Sequence, residues 1–190
     1  MSEVSILAID LAKGSFQICG VKPDGAVVFN RSVSRARLYQ LLAEQAHCVV
    51  AMEACATSHH WGRVAQSHGH EARLIPAAYV KPFVKRQKND RADAEAIAEA
   101  ASRPSMRFVA VKSAEKQGRA LAFRTHQCFV RQRTQLINAL RGHLAEFGLM
   151  APKGPASLKL LENALAQPDV DLPPRFDKIR RNSSELGGAG

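Results

Sequence analysis

The sequence predicts an α/β fold, a mixed β-sheet with flanking helices, followed by a long basic helix. Two observations lead to this prediction. Short apolar runs of strand length alternate with helix-patterned segments over the first 76 residues, and a long helix-patterned segment rich in Arg follows residue 112. With 190 residues, 46% of them hydrophobic, the chain can bury one core.

The first three predicted elements are strands. Residues 4–11 form an almost continuous apolar run around Asp10, which is typical of a strand buried on both faces. Residues 15–21 and 26–33 follow across two short connections, of which the second is the turn sequence Pro23-Asp24-Gly25. Two short connections in succession predict an antiparallel meander.

Helices and strands then alternate. A helix is predicted at 34–45, because Ser34 can cap its first turn and leucines recur at helical spacing. The next predicted elements are a strand at 48–52, a helix at 57–67 and a strand at 72–75. The order β-β-β-α-β-α-β is that of a ribonuclease H-like fold, although this pattern alone leaves other α/β arrangements open.

The remaining chain is predicted to be mainly helical up to residue 150. The predicted elements are a basic loop at 81–88, an alanine-rich helix at 89–101 and one helix of up to about 37 residues at 113–149. The long helix has one apolar stripe, with which it can pack on the sheet or pair with another helix. We therefore divide the chain into an α/β domain at 1–112, a long basic helix at 113–150 and a weakly structured tail at 151–190.

The positive charge is concentrated in one segment. The formal net charge is +10, and residues 101–154 carry 10 Lys and Arg against two Asp and Glu, whereas residues 1–100 carry 12 against 10. A local excess of this kind favours a nucleic-acid-binding element, with simple solubility as the alternative. The candidate nucleic-acid-binding residues are Lys81, Lys85, Arg86, Lys88, Arg119, Arg124, Arg131, Arg133 and Arg141.

The cysteines and histidines provide only a weak alternative site. The four cysteines form no CxxC pair, which favours a reducing, cytoplasmic compartment. No apolar run approaches the ~20 residues that cross a bilayer, so no membrane association is expected. A zinc site is a minor alternative, because its candidate ligands have no common zinc-binding spacing: Cys55, His59, His60, His68 and His70.

Four acidic residues stand out by position. Asp10 and Glu53 each end an apolar strand, where functional groups collect in open α/β sheets. Asp90 and Asp93 are three residues apart at the start of a predicted helix and therefore face the same side. Each has a structural alternative: a strand-end acid can be incidental, and an acid in a first helical turn can serve as a cap or complement the helix dipole.

The four acids together predict a metal site. Carboxylates that converge on one point repel each other unless cations neutralise them, and two Mg²⁺ ions about 3.5–4 Å apart stabilise in-line attack on a phosphodiester. We therefore expect Mg²⁺, or Mn²⁺ in its place, on Asp10, Glu53, Asp90 and Asp93. Glu95 and Glu99, further along the helix, are expected on its solvated face.

Three segments carry a resemblance to a known family. AIDLAK around Asp10, VVAMEAC around Glu53 and KNDRADA around Asp90 and Asp93 resemble the DEDD transposases of bacterial insertion sequences, also called bridge-RNA-guided recombinases. The resemblance covers about residues 4–150. It implies a RuvC-like domain with these four acids as the catalytic metal-binding tetrad, DNA and a structured guide RNA as partners, and assembly into dimers or tetramers.

The sequence departs from the family pattern after residue 150. Family members continue into a second domain that supplies a serine nucleophile, whereas this sequence ends at Gly190 and the context of Ser183-Ser184 does not match. We assign no catalytic serine and expect the tail to be truncated. The predicted function is Mg²⁺-dependent DNA cleavage and transfer in transposition, incomplete on its own. The alternatives are a truncated, non-catalytic RNA- or DNA-binding module and an actin-fold ATPase or kinase.

Overall fold

A computed structural model describes residues 4–84, 89–154 and 157–166. The five strands are β1 (Ile6–Leu11), β2 (Ser15–Val21), β3 (Val27–Ser34), β4 (Val49–Glu53) and β5 (Glu71–Ile75). The α-helices are α1 (Arg35–Glu44), α2 (Ser58–Ser67), α3 (Ala77–Val80), α4 (Asp90–Ser102), α5 (Ala114–Ala145) and α6 (Ser157–Ala166). A 3₁₀ helix, Lys81–Phe83, follows α3 directly.

The strands form one mixed sheet with the order β3-β2-β1-β4-β5. β1, β2 and β3 are antiparallel neighbours, and β4 and β5 extend the sheet parallel to β1. This confirms the predicted α/β class, with a mixed sheet and flanking helices, and is consistent with a ribonuclease H-like fold. Each predicted strand agrees with the observed one to within two residues at either end.

The sheet is buried on both faces, which explains the nearly continuous apolar sequence of β1. On one face, Leu7 and Ile9 pack in a cluster that includes Leu38 of α1 and Trp61 of α2. On the other face, Ala8 packs in a cluster with the alanine-rich side of α4. Because successive side chains of a strand alternate between faces, every second residue of β1 points toward α4.

Two predicted segments differ from the structure in detail. The predicted loop at 81–88 begins as a 3₁₀ helix, and the four-residue α3 before it is too short to show helical periodicity in sequence. The long helix ends at Ala145 instead of residue 149. Gly148 there has φ +77°, and the amide of Leu149 donates to the Leu144 carbonyl at 3.0 Å, so a left-handed C-terminal turn closes the helix.

The described chain divides into two compact units between Gly118 and Arg119. The first contains the sheet and α1 to α4. In the second, Leu144 near the end of α5 packs with Leu161 and Leu165 of α6. No helix in the described part of the chain is long and apolar enough to span a membrane.

Candidate metal centre

Asp10 and Glu53 lie at the carboxyl ends of neighbouring parallel strands. β1 and β4 pair in register, with Ala8 opposite Ala51 and Ile9 opposite Met52. Ala8 and Ala51 both pack toward α4. Asp10 and Glu53 each follow two residues later, so the alternation of side chains directs both carboxylates to the same, α4-covered face of the sheet.

The other two acids lie in the first turn of α4. Asp90 is the first residue of this helix, and Asp93 follows one turn later. The N-cap is Asn89, whose side-chain oxygen accepts a hydrogen bond from the amide of Ala92 at 2.9 Å. Since Asn89 caps the helix, the capping alternative does not explain why both aspartates are present.

Three of the four acids converge. Asp10, Asp90 and Asp93 each place one carboxylate oxygen so that the three atoms lie within 4.8 Å of one another. Asp10 and Asp93 are half-buried, and Asp90 is exposed. Glu53 lines the same cavity, of about 620 Å³, but is not a member of this three-residue group.

The composition and size of the cluster suit a hard divalent cation. All donors are carboxylate oxygens, which Mg²⁺ and Mn²⁺ prefer over the nitrogen and sulfur ligands typical of zinc. In an octahedral site with metal–oxygen distances of about 2.1 Å, ligand oxygens are separated by about 3.0–4.2 Å. Side-chain adjustments of about 1 Å therefore suffice for the three oxygens to meet one ion.

The negative charge of the site extends to a neighbouring thiol. Burial raises the pKa of Cys55, and the charges of Glu53 and Asp10 raise it further.

The five candidate zinc ligands are not brought together in the described part of the chain. Within residues 4–84, 89–154 and 157–166, the three aspartates form the only group of three or more potential ligands that meet. His59 instead accepts a hydrogen bond at Nδ1 from the Lys112 amide at 3.2 Å. Its pKa is lowered by partial burial and then by the charges of Lys112 and Arg63.

His70 is a buried structural residue. Its Nδ1 accepts from the Cys48 amide at 3.3 Å, so its Nε2 carries the hydrogen and donates to the Leu42 carbonyl at 2.8 Å. That carbonyl is in the last turn of α1, where helical partners are missing. His70 thus satisfies one backbone group just before β4 and one in α1.

His70→Leu is expected to lower the free energy of unfolding by about 2–3 kcal/mol, because it leaves the Cys48 amide and the Leu42 carbonyl without this partner. Urea unfolding measures the change. His47→Leu is the matched control, since His47 is exposed and the same substitution there should be nearly neutral. A zinc role would instead predict that added Zn²⁺ stabilises the wild type and not the His70 variant.

The candidate nucleic-acid-binding residues are in different surroundings. Lys81 is exposed and lines the same cavity as the acids. Arg119, Arg124, Arg131 and Arg133 are exposed along α5. Arg141 is engaged within its own unit, where it donates from Nε and NH2 to the Ala151 carbonyl at 3.1 and 3.0 Å. Lys85, Arg86 and Lys88 lie outside the described residues.

Two polar residues beside the acids were not predicted from the sequence, and a third lies in surroundings other than those predicted. Gln17 and Asn30 lie on β2 and β3, and the Asn30 side chain bonds to α4. Glu95 is half-buried and accepts from Asn30, although it was predicted on the solvated face. The polar interruption of the apolar pattern at Gln17 is the signal that could have identified this contact.

The chain matches a family model. The model of the IS110-type DEDD family, described as "Transposase", matches residues 7–148. The chain belongs to this transposase family. The resemblance predicted from the segments around Asp10, Glu53, Asp90 and Asp93 is thereby confirmed.

Curated relatives agree with this assignment. The chain is 45% identical over 186 residues to a probable family 20 transposase of Pseudomonas aeruginosa, an alignment that covers 96% of this chain and 55% of the relative. It is 42% identical to the transposase for insertion sequence element IS1111A of Coxiella burnetii, in an alignment that covers 94% of this chain and 50% of the relative. It is 40% identical to the transposase for insertion sequence element IS1328 of Yersinia enterocolitica, with 94% of this chain and 53% of the relative covered. This transposase-family chain spans about half the length of the curated relatives it matches.

Proposed function

We propose that this chain carries the metal-dependent catalytic centre for DNA strand cleavage and transfer in the transposition of an insertion sequence. Asp10, Glu53, Asp90 and Asp93 hold Mg²⁺, or Mn²⁺ in its place. The observation that carries the proposal is the convergence of carboxylate oxygens from Asp10, Asp90 and Asp93 within 4.8 Å, in a cavity also lined by Glu53.

The residues around the cavity have distinct roles in this proposal. Bound Mg²⁺ supplies Lewis-acid stabilisation of the charge that develops on the attacking and leaving oxygens. The four acids hold the ion. The exposed Lys81, which lines the same cavity, attracts a DNA phosphate. Val80, Val84 and Ile97 contribute the apolar part of the cavity lining.

The partners and boundaries follow from the same proposal. Residues 1–112 form the catalytic, RuvC-like domain, and the basic helix of 113–150 contacts nucleic acid. DNA and a structured guide RNA are the partners, in a cytoplasmic dimer or tetramer. A serine nucleophile, which the family resemblance implies, is not assigned to any residue of this chain.

A second candidate is a binding module without catalytic activity. It is favoured by the exposure of Arg124, Arg131 and Arg133 on α5, at a distance in sequence from the acids. Such a module would bind RNA or DNA through its basic side chains alone. Its affinity would depend on salt but not on the acids or on a divalent cation.

Divalent-cation dependence of DNA binding separates the two candidates. For the metal-dependent centre, Mn²⁺ at constant ionic strength should strengthen binding of a duplex DNA roughly three- to tenfold, because an ion held by the acids would neutralise the negative charge that otherwise repels a DNA phosphate. Fluorescence anisotropy measures the affinity. In Asp93→Asn, the enhancement should disappear while metal-free affinity is retained. Equal affinities with and without Mn²⁺ in the wild type would favour the binding module.

A further inference from the structure

Gln17 and Asn30 connect the sheet to the first turns of α4. Gln17 is buried, and its Nε2 donates to Oδ1 of Asn30 at 2.7 Å. Nδ2 of Asn30 donates to the Arg91 carbonyl at 3.0 Å and to Oε1 of Glu95 at 3.0 Å. Asn30 therefore bonds directly to the part of α4 that also carries Asp90 and Asp93.

The same network lies beside the strand acid. In the antiparallel β1–β2 pair, Gln17 is directly opposite Asp10, and Cys19 is opposite Ala8. Residues opposite each other share a face of the sheet, so Gln17 and Asp10 both project toward α4. One end of the network thus lies next to Asp10. Its other end is bonded to α4, the helix that carries Asp90 and Asp93.

The α4 side of its contact with the sheet consists mainly of small side chains, and Arg73 of β5 donates to the Ala101 carbonyl at 3.1 Å near the C-terminal end of the helix. The buried residues of α4 are Ala94, Ala96, Ile97, Ala98, Ala100 and Ala101. They pack in a cluster with Ala8, Cys19, Val21, Ala51 and Ile75 of the sheet. Small side chains allow close approach, but they provide few ridges that resist sliding or rotation of a helix.

The metal cluster is sensitive to such movement. A slip of one residue moves a helix by about 1.5 Å along its axis and rotates it by about 100°. Either change would separate the Asp90 and Asp93 carboxylates from Asp10. Directional hydrogen bonds from a strand to the first turns of the helix are suited to prevent this slip.

We propose that Gln17 and Asn30 are positioning residues that fix the register of α4 on the sheet and so hold Asp90 and Asp93 against Asp10. The inference rests on the proposed function, because the arrangement of Asp10, Asp90 and Asp93 that it explains is the one proposed to bind the metal. Replacing a hydrogen-bonded pair by apolar groups of similar shape can be nearly neutral for stability. The role of the pair is therefore to select one arrangement of α4 more than to stabilise the fold.

The double variant Gln17→Met with Asn30→Leu tests this role in the full chain. Both substitutions keep approximate shape and net charge, and the hydrogen bond to the Arg91 carbonyl lies at the surface, where water can replace the lost donor. We expect Mn²⁺ affinity, measured by calorimetry, to fall about tenfold, as is typical when partners of metal ligands are removed. The urea midpoint should remain close to that of the wild type. Val33→Ala is the control, because Val33 is buried on β3 in the cluster on the opposite face; it should lower stability and leave Mn²⁺ affinity unchanged.

The outcomes distinguish this inference from the proposed function. One outcome is that the wild type binds Mn²⁺, that Asp10→Asn abolishes this binding, and that the double variant binds Mn²⁺ as tightly as the wild type. In that case the positioning role is overturned and the metal site stands. An equal loss of affinity in Val33→Ala also overturns it, because general destabilisation would then account for the effect. If the wild type binds no Mn²⁺, the proposed function fails and this inference fails with it.

Discussion

Asp10→Asn is expected to weaken Mn²⁺ binding at least about 100-fold and to stabilise the metal-free chain. The affinity falls because a direct ligand is lost. The loss should exceed the 10–100-fold decrease in affinity that is typical when a group hydrogen-bonded to a metal ligand is removed. The stability rises because Asp10, Asp90 and Asp93 place negative charges within 4.8 Å of each other, and removal of one relieves repulsion. Even for partly exposed groups, the gain should be about 1 kcal/mol.

Calorimetry with Mn²⁺ and urea unfolding in the presence of a chelator measure the two effects. Asp24→Asn is the matched control: it removes the same charge from a turn and keeps the side-chain oxygen that accepts from the Ala26 amide at 2.9 Å. The control should leave both Mn²⁺ affinity and stability nearly unchanged. If Asp10→Asn destabilised the metal-free chain, Asp10 would have a structural role that the charge cluster does not explain.

Arg124→Gln with Arg131→Gln is expected to weaken DNA binding about 30-fold at moderate salt. These exposed residues are seven positions apart on α5, on the same side and about 10 Å apart along the axis. Each phosphate contact releases about one counterion, so the slope of log affinity against log salt should decrease in magnitude by about 1.8. Anisotropy titrations over a range of salt concentrations give both quantities.

Arg141 supplies an informative comparison. Its sequence position resembles that of the other helix arginines, but its guanidinium donates two hydrogen bonds to the Ala151 carbonyl. Arg141→Gln should therefore lower stability while leaving the salt slope unchanged. If it reduced the slope as strongly as the substitutions at Arg124 and Arg131, Arg141 would contact phosphate despite its hydrogen bonds to Ala151. An unchanged slope in the double variant would argue against the proposed role of α5.

Most of the sheet and the positions of the acids were predictable, because they depend on local pattern. A strand buried on both faces requires apolar residues at nearly every position, so β1 and β4 are visible as runs that end near Asp10 and Glu53. The i, i+3 spacing of Asp90 and Asp93 likewise follows from helix geometry alone. The convergence of Asp90 and Asp93 with Asp10 could be expected once Asp10 and Glu53 were placed together at the carboxyl ends of their strands.

The contacts that refine the site were not predictable from local pattern. Asn30 and Arg91 are 61 residues apart, and no periodicity links an edge-strand asparagine to a helix backbone. Glu53 has the same sequence signature as Asp10, yet it is outside the three-residue group and lines the wall of the cavity. Arg141 could not be separated from the other helix arginines, because its partner is a carbonyl in the following turn. Each of these facts depends on tertiary distances.

The central claim is that Asp10, Asp90 and Asp93, in the cavity lined by Glu53, bind a divalent cation. Crystals of the full chain grown with Mn²⁺ test this claim most directly. Anomalous diffraction locates the ion without assumptions about its ligands. We predict an anomalous peak coordinated by carboxylate oxygens of Asp10, Asp90 and Asp93 in the cavity lined by Glu53. Full Mn²⁺ occupancy elsewhere, for example at Cys55 and His59, with no peak at the three aspartates would contradict the claim.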